Sequence, residues 1–277
     1  MVYGFDINGH KAVYTKETPK LRYRIRTFTK NEEKSMTKKI VAIVSGISLL
    51  LLSVPVWSFY ADKKQEKLLK KSVKKWNAWR KANPKTWVVL NRMKASRADF
   101  YGANLSKARM NNTSLFYANL STANLKEALL GNASLSGANL RNADLSKADL
   151  DGAYLKHANC FGAKFISASL KKTNAKEAYL WQADLTKAKM QEIDLKKASL
   201  WRANLQGADL TKARLDGANL SGANFKDADL TKANLQNAFL WKANLKGATL
   251  RGANFTGAIW VNGKQCGPGS IGRCNPL

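Results

Sequence analysis

Histidine is nearly absent. The chain holds His10 and His157 and no others, too little for a histidine-built active site or metal cluster. Cysteine is scarce as well: Cys160, Cys266 and Cys274 cannot complete the four-ligand set of an ordinary structural zinc site. Acids are few against bases, 19 Asp and Glu to 47 Lys and Arg, for a net charge of +28. No Gly-rich motif that would cradle a phosphate occurs, and no Ser, His and Asp fall where geometry would unite them. These gaps argue against a metalloenzyme and leave no catalytic constellation and no call for a cofactor. Disorder is excluded too, because 45% of the 277 residues are hydrophobic. That length allows one or two domains.

The positive charge is unevenly spread. Residues 1–39 carry ten Lys or Arg against four acids, and residues 62–97 carry thirteen against two. Residues 98–260 carry twenty-two against thirteen, a mild excess for so long a stretch. A basic segment suits nucleic-acid phosphates and anionic lipid heads equally well. Here it directly follows an apolar run. Ile40 to Tyr60 reads IVAIVSGISLLLLSVPVWSFY, about twenty residues without a charge, long enough to cross a bilayer as a helix. Trp57 and Tyr60 at its far end suit a membrane interface. The run is apolar all round, which argues against a core helix. It reads as a retained single-pass anchor or a cleaved signal peptide. Met36 opens MTKK, a signal-like start. Val56 and Ser58 suit the positions a signal peptidase reads; Phe59-Tyr60-Ala61 suits them less well because Phe59 is bulky. If Met36 is the true start, residues 1–35 are not translated and the chain is exported. Flanking charge is nearly balanced, five Lys or Arg in the fifteen residues before the run and seven in the fifteen from Ala61, and so orients it weakly.

From Phe100 every fifth residue is apolar, through Leu105, Met110 and Leu115 to Leu250, Phe255 and Trp260. Cys160 and the small Ala175 are the departures. Two residues before each stands a small residue, nearly always Ala; Thr113, Thr173 and Ile193 are the exceptions. Between them usually stands Asn or Asp, as at Asn104, Asn119 and Asp184. The unit Ala-(Asn/Asp)-Leu-x-x recurs about thirty-two times. A period of five fits neither a helix nor a strand and marks a repeat architecture.

These residues resemble the pentapeptide-repeat family over 98–260. The resemblance implies an all-β solenoid, a right-handed quadrilateral β-helix in which each pentapeptide forms one side and four sides make a coil. About eight coils would make a rod of roughly 40 Å at ~4.8 Å per coil. Leu and the Ala two before it would both point inward, with room for only one large residue per side. Gly102, Gly137, Gly152, Gly207, Gly217 and Gly222 would relieve corner strain. Ala175 at a Leu position predicts a local gap or backbone shift. Cys160 reads as an inert core residue.

Both ends of the solenoid look managed. Within 61–97, Lys63 to Ala82 reads as one basic cap helix, with Leu69, Val73 and Trp76 on its apolar face and Asn83-Pro84 ending it. Trp87 to Leu90 reads as a lead-in strand. The stretch VKKWNAWRKANP is similar to lead-in segments of pentapeptide domains. Its lysines, from Lys63 to Lys75, would also suit anionic lipid heads beyond a bilayer. In 261–277, Cys266 and Cys274 are spaced to close a small loop by a disulfide, which implies an oxidising compartment; free thiols in a cytosolic loop are the alternative. A similar cysteine-bearing tail occurs in some members of the family.

Positions twenty apart would share a face. One outward column reads Tyr101, Ser121, Arg141, Phe161, Trp181, Trp201, Ser221, Trp241. Tyr101, Phe161, Trp181, Trp201 and Trp241 form a candidate binding strip, and Phe161, Trp181 and Trp201 are placed to stack as a ladder. The strip serves a partner or only stabilises the stack. Lys156, Lys176 and Lys196 form a candidate basic belt, whose like charges need a compensating acid or anion unless they are simply a solvated face.

The functional expectation is a non-enzymatic scaffold or protein-interaction module, displayed from or exported across a membrane, with its oligomeric state open. The alternative is an anchored, cytoplasm-facing protein that binds anionic lipid or nucleic acid through its basic segments; export would remove nucleic acid as a ligand. The topoisomerase-interacting DNA mimics of the family need an acidic exterior, which a net basic repeat lacks. The intact mass of the unreduced protein from its native cell separates these. Export predicts a chain starting near Phe59 or Asp62 and lighter by the two hydrogens of one disulfide. A full-length membrane species with free thiols would instead mean an anchored protein facing the cytoplasm.

Overall fold

The computed structural model describes residues 2–5, 11–14 and 61–277. The rest of the basic 1–39 segment, and the apolar run at 40–60 with its anchor or signal reading, lie outside the described residues. Among the described residues no helix is long and apolar enough to cross a membrane. The chain divides into two units, Met1–Val54 and Pro55–Leu277. In the first, β1 (Val2–Phe5) pairs antiparallel with β2 (Lys11–Tyr14), Val2 opposite Tyr14 and Phe5 opposite Lys11. The second holds the repeat.

Each pentapeptide there makes one short side and one corner. The residue between Ala and Leu bridges in parallel to the residue twenty further on: Asn104 to Asn124, Asp184 to Asn204, Phe239 to Ile259. Four sides therefore close one coil. The ladder starts at Val89, not at 98. Val88 and Leu90 already occupy inward positions, 2% and 0% exposed, so the expected lead-in strand is the first side of the helix itself. From Val89 to Ile259 the ladder makes eight and a half coils of twenty residues.

Residues two apart on an extended side share a face. Ala103 and Leu105 thus both point inward while Asn104 points out, and both are fully buried. The hydrogen bonds explain the rest of the unit. In the unit Asp184 to Ala188, Asp184 N–H donates to Ala163 C=O (2.9 Å), Leu185 N–H to Asn204 C=O (2.7 Å) and Lys187 N–H to Gln206 C=O (2.9 Å). Ala188 N–H closes the corner on Leu185 C=O (3.0 Å). One N–H of the five has no backbone partner, that of Thr186, and it donates to the Asp184 Oδ1 (3.0 Å). The same bond recurs from Ser106 to Asn104, Lys126 to Asn124 and Gln236 to Asn234. This is why Asn or Asp stands between Ala and Leu: its short side chain satisfies the donor that the ladder leaves over.

At each corner only the third turn residue has positive φ, the type II pattern. The six glycines expected at corners all sit there, but twenty-four corners hold a non-glycine residue with φ near +55. Each costs on the order of 1 kcal/mol and is held by its N–H bond to the next coil. β-Branched residues suffer most in this conformation, and Thr122 is the single one among the twenty-four. Gly137 meets a second constraint. A Cβ there would lie 2.3 Å from the Tyr117 ring, which lies across it.

The backbone shift expected at Ala175 is absent. Its N–H still reaches Asp194 C=O at 2.8 Å, and Asn174 still bridges to Tyr154 and Asp194. Bulk missing at Ala175 returns on the same side of the next coil as Ile193, which stands where Ala is usual and is 1% exposed.

An open solenoid end exposes unpaired strand edges. At the first coil they are met by side chains. The expected single helix over 63–82 is two, α1 (Lys63–Lys71) and α2 (Val73–Ala82), because the extended Ser72 ends the first and caps the second through its Oγ. Leu69 and Trp76 bury completely. Gln65 Nε2 donates to Trp87 C=O (2.9 Å) while its Oε1 accepts from Val89 N–H (2.8 Å). Asn77 does the same three sides on, donating to Gly102 C=O (3.0 Å) and accepting from Asn104 N–H (2.8 Å). Trp76 Nε1 donates to Asn104 C=O (2.8 Å). At the other end the chain doubles back antiparallel, so that Phe255 N–H donates to Ser270 C=O and Gly257 N–H to Cys266 C=O, both at 2.8 Å. Cys266 and Cys274 are joined by a disulfide.

Two substitutions separate core from cap. Leu200→Ala removes a fully buried side chain and is expected to cost ~2–5 kcal/mol in denaturant unfolding. Gln65→Ala is expected to cost ~1–3 kcal/mol and to speed amide exchange at Val89 far more than at Leu200. Uniform exchange along the rod would show that Gln65 does not seal the edge.

Candidate contact face

The aromatic column lies at one corner of the coil and the basic belt at the corner before it. One side of the helix runs between them, so two columns that read as separate features border a single face. In its middle coils Lys156, Lys176 and Lys196 line one rim and Phe161, Trp181 and Trp201 the other. Asn159, Tyr179 and Ser199 form the floor, as bridge residues of that side. Five residues at ~3.3 Å each bound the width at about 16 Å.

The aromatic rim is held by cations. The Arg141 guanidinium lies 4.6 Å from the Phe161 ring centre, that of Arg202 4.3 Å from Trp201, and Lys242 Nζ 4.2 Å from Trp241. Tyr179 meets Trp181 edge-on at 6.2 Å and 89°. Trp181 Nε1 donates to Ser199 Oγ. The expected stacked ladder of Phe161, Trp181 and Trp201 does not form. Ring faces carry negative charge and prefer a cation or a ring edge to another face, and this rim supplies both. Tyr101, Trp181 and Trp241 are exposed, while Phe161 and Trp201 are half-buried under their cations. A shallow, open cleft lies among Arg141, Asn159, Phe161, Tyr179 and Trp181.

The belt is largely compensated. Lys176 Nζ pairs with Asp194 (3.3 Å), which also takes Arg214 (3.1 Å), and Lys196 pairs with Asp216 (3.0 Å). Lys156 has no ion pair among the described residues. The acids that the belt requires thus come from the next coil, eighteen and twenty residues on. Reading the twenty-residue register across neighbouring columns would have found them, and would have shown that belt and strip share a face.

Other groups are quieter. Cys160 is fully buried and its thiol is pushed up to about 12 by burial. His157 faces Glu177 of the next coil at 3.5 Å along one corner column. On α1, burial raises the Glu66 carboxyl, but hydrogen bonds and charge from Lys70 and Lys63 outweigh it and hold the group below its ordinary value. Those two lysines bind Glu66 at 2.7 and 2.9 Å, and Lys64, Lys67 and Lys71 beside them are exposed. Among the described residues no cluster of His, Cys, Asp and Glu is placed to hold a metal ion.

Thiol chemistry checks this arrangement. Cys160 should resist an alkylating reagent until the rod unfolds. Reducing Cys266–Cys274 should speed exchange at Phe255 and Gly257 and leave Leu200 protected. Fast labelling of Cys160 in the folded protein would contradict its burial.

A family model for pentapeptide repeats in eight copies matches residues 96–132, 123–159, 163–202, 188–227 and 223–259. No curated protein sequence matches the chain significantly. Among solved structures, the chain is similar to HetL, a pentapeptide repeat protein involved in heterocyst differentiation regulation in the cyanobacterium Nostoc sp. strain PCC 7120. Identity is 34%, over 64% of this chain and 90% of HetL, with a TM-score of 0.26. It is also similar to QnrB1, a plasmid-mediated fluoroquinolone resistance protein, at 24% identity over 61% of this chain and 87% of that one, TM-score 0.47. A pentapeptide repeat protein of the Arabidopsis thaliana thylakoid lumen is 35% identical over 31% of this chain and 63% of that one, TM-score 0.26. The period of five, the ladder at a register of twenty and the family match over more than half the residues agree: the chain belongs to the pentapeptide-repeat family, whose members fold as right-handed quadrilateral β-helices.

Proposed function

We propose that this chain is a non-enzymatic scaffold that meets a protein partner through the face between the aromatic rim and the lysine belt, and that it is displayed from or exported across a membrane. The observation that carries the contact reading is the aromatic rim. Tyr101, Tyr179, Trp181, Phe239 and Trp241 are each 42–60% exposed on adjoining columns, on a rod whose exterior is otherwise mostly short polar and charged. Solvent-facing tryptophans next to arginine are the residue types that anchor protein interfaces. Export is supported by the apolar run at 40–60 and by the disulfide at Cys266 and Cys274. The repeat's net basic exterior, twenty-two cations to thirteen acids, speaks against mimicry of duplex DNA.

A second reading rests on α1. Five lysines in nine residues, starting just after the apolar run, would serve anionic lipid heads if that run stays in a membrane.

A photo-reactive side chain placed at Ser221, within the rim, should cross-link a discrete partner in the native cell. The same group at Lys172, on the opposite corner, should not. Trp181→Ala with Trp201→Ala should abolish the adduct while the unfolding midpoint stays within a few degrees. Adducts at both positions, or adducts that survive the double substitution, would sink the proposal.

A further inference from the structure

Resting on that reading of the face, we propose that its ligand is an acidic, proline-containing segment in the extended polyproline II conformation, lying along the rod axis on the aromatic rim.

The backbone of the face excludes strand addition. Tyr179 N–H donates to Ala158 C=O and Ser199 N–H to Ala178 C=O, and Tyr179 C=O and Ser199 C=O accept from Cys160 and Leu180. That side offers no continuous edge for a partner strand, only the isolated corner N–H groups of Trp181 and Trp201, which follow Tyr179 and Ser199 where Asn or Asp would accept them, so recognition falls mainly to side chains. A polyproline II segment is bound in that way, since its own backbone seeks no ladder and its prolines settle between aromatic rings. The periods agree. Coils stack at ~4.8 Å, so rings two coils apart, Phe161 and Trp201 or Trp201 and Trp241, repeat at ~9.6 Å. One turn of polyproline II, three residues, advances ~9.3 Å. A segment running along the rod therefore meets an aromatic ridge at about every third residue.

Charge selects the acidic kind. The floor column over 139–239 and the two corner columns over 141–241 and 142–242 contain no Asp or Glu. Their cations, Arg141, Arg202 and Lys242, lie on rings and make no ion pair among the described residues. Five cations on other columns of the repeat do reach carboxylates, among them Lys107 with Glu127, Lys126 with Asp144 and Arg214 with Asp194; on the aromatic rim no carboxylate is within reach to do so. Three uncompensated cations, three coils and then two coils apart, sit ~14 and ~10 Å from one another. That spacing suits carboxylates every three to five residues of an extended peptide. A nucleic acid carries a charge at every nucleotide and needs a continuous cationic track. The belt that would supply one has Lys176 and Lys196 already tied to Asp194 and Asp216.

The test is fluorescence polarisation of a labelled synthetic peptide of repeating Pro-Glu-Pro triplets against the full chain in detergent. Binding is expected, at least about tenfold tighter than for the Pro-Lys-Pro peptide of opposite charge and for the Gly-Glu-Gly peptide of equal charge without the conformation. Arg141→Gln with Arg202→Gln and Lys242→Gln should weaken it about tenfold; glutamine already occupies the positive-φ corner position of Arg202 and Lys242 at Gln182 and the preceding corner position of Arg141 at Gln191, so the fold tolerates the change. Equal binding of the Gly-Glu-Gly peptide would overturn the conformation, and equal binding of Pro-Lys-Pro or an indifferent triple variant would overturn the charge match. Tighter binding of a labelled oligothymidine would assign the face to single-stranded nucleic acid instead. If the native-cell adduct at Ser221 persists in the triple variant yet disappears with the tryptophans, the contact face stands and this ligand falls.

Discussion

The structure depends on one closure: a register of twenty residues that satisfies the backbone within the coil stack. Three of every five N–H groups reach a neighbouring coil, one closes the corner, and where Asn or Asp stands beside the buried Leu its side chain meets the fifth. This accounting explains the consensus better than hydrophobicity does. Leu and Ala fill the interior, but the polar residue between them is fixed by a donor that would otherwise be unpaired. It also explains how twenty-four corners tolerate a non-glycine residue at positive φ. Each strained corner residue donates one bond to the adjacent coil, and no single corner can relax without breaking the register of those around it.

A ladder that satisfies itself internally has an unsatisfied edge at each end, and the chain treats the two differently. At the first coil the amides of Gln65 and Asn77 each donate and accept, standing in for one residue of a missing strand. An amide is the side chain that carries a donor and an acceptor with backbone-like geometry. At the last coil the chain itself returns antiparallel and the disulfide fixes the return. The first solution needs the helices to hold two short side chains in place, which is why Leu69 and Trp76 are buried as deeply as any leucine of the rod.

What was legible in the sequence follows from which interactions are periodic. The period of five, the inward Leu and Ala and the shared columns all repeat, and repetition makes them readable without coordinates. The caps do not repeat. One helix over 63–82 and two helices broken at Ser72 have the same composition, and only the extended backbone of Ser72 distinguishes them. The start at Val89 was hidden because Trp87 to Leu90 lacks the Asn or Asp of the unit; there the strand edge is satisfied by Gln65 instead. The rim was located as a column but its internal contacts were not. Stacking was the simplest expectation for rings one coil apart, and it lost to cation–π contacts that depend on Arg141 and Arg202 leaning toward them. Ala175 shows the same limit: the gap is visible in its own column, and its compensation by Ile193 stands in another.

The distribution of charge ties the fold to the proposed role. A rod made of stacked identical sides brings every outward residue within ~5 Å of its counterpart, so a column of like charges is unfavourable unless the next coil answers it. At five cations of the repeat a neighbouring coil does so, as where Lys107 faces Glu127 and Lys196 faces Asp216. The aromatic corner is instructive because the lattice makes compensation easy: one aspartate in its columns would have supplied a counter-charge. Over 141–241 there is none, and the cations rest on ring faces, which soften a charge without neutralising it. A surface that is apolar, cationic and free of carboxylates has its missing half in the partner, and the regularity of the solenoid sets the spacing at which that half must arrive.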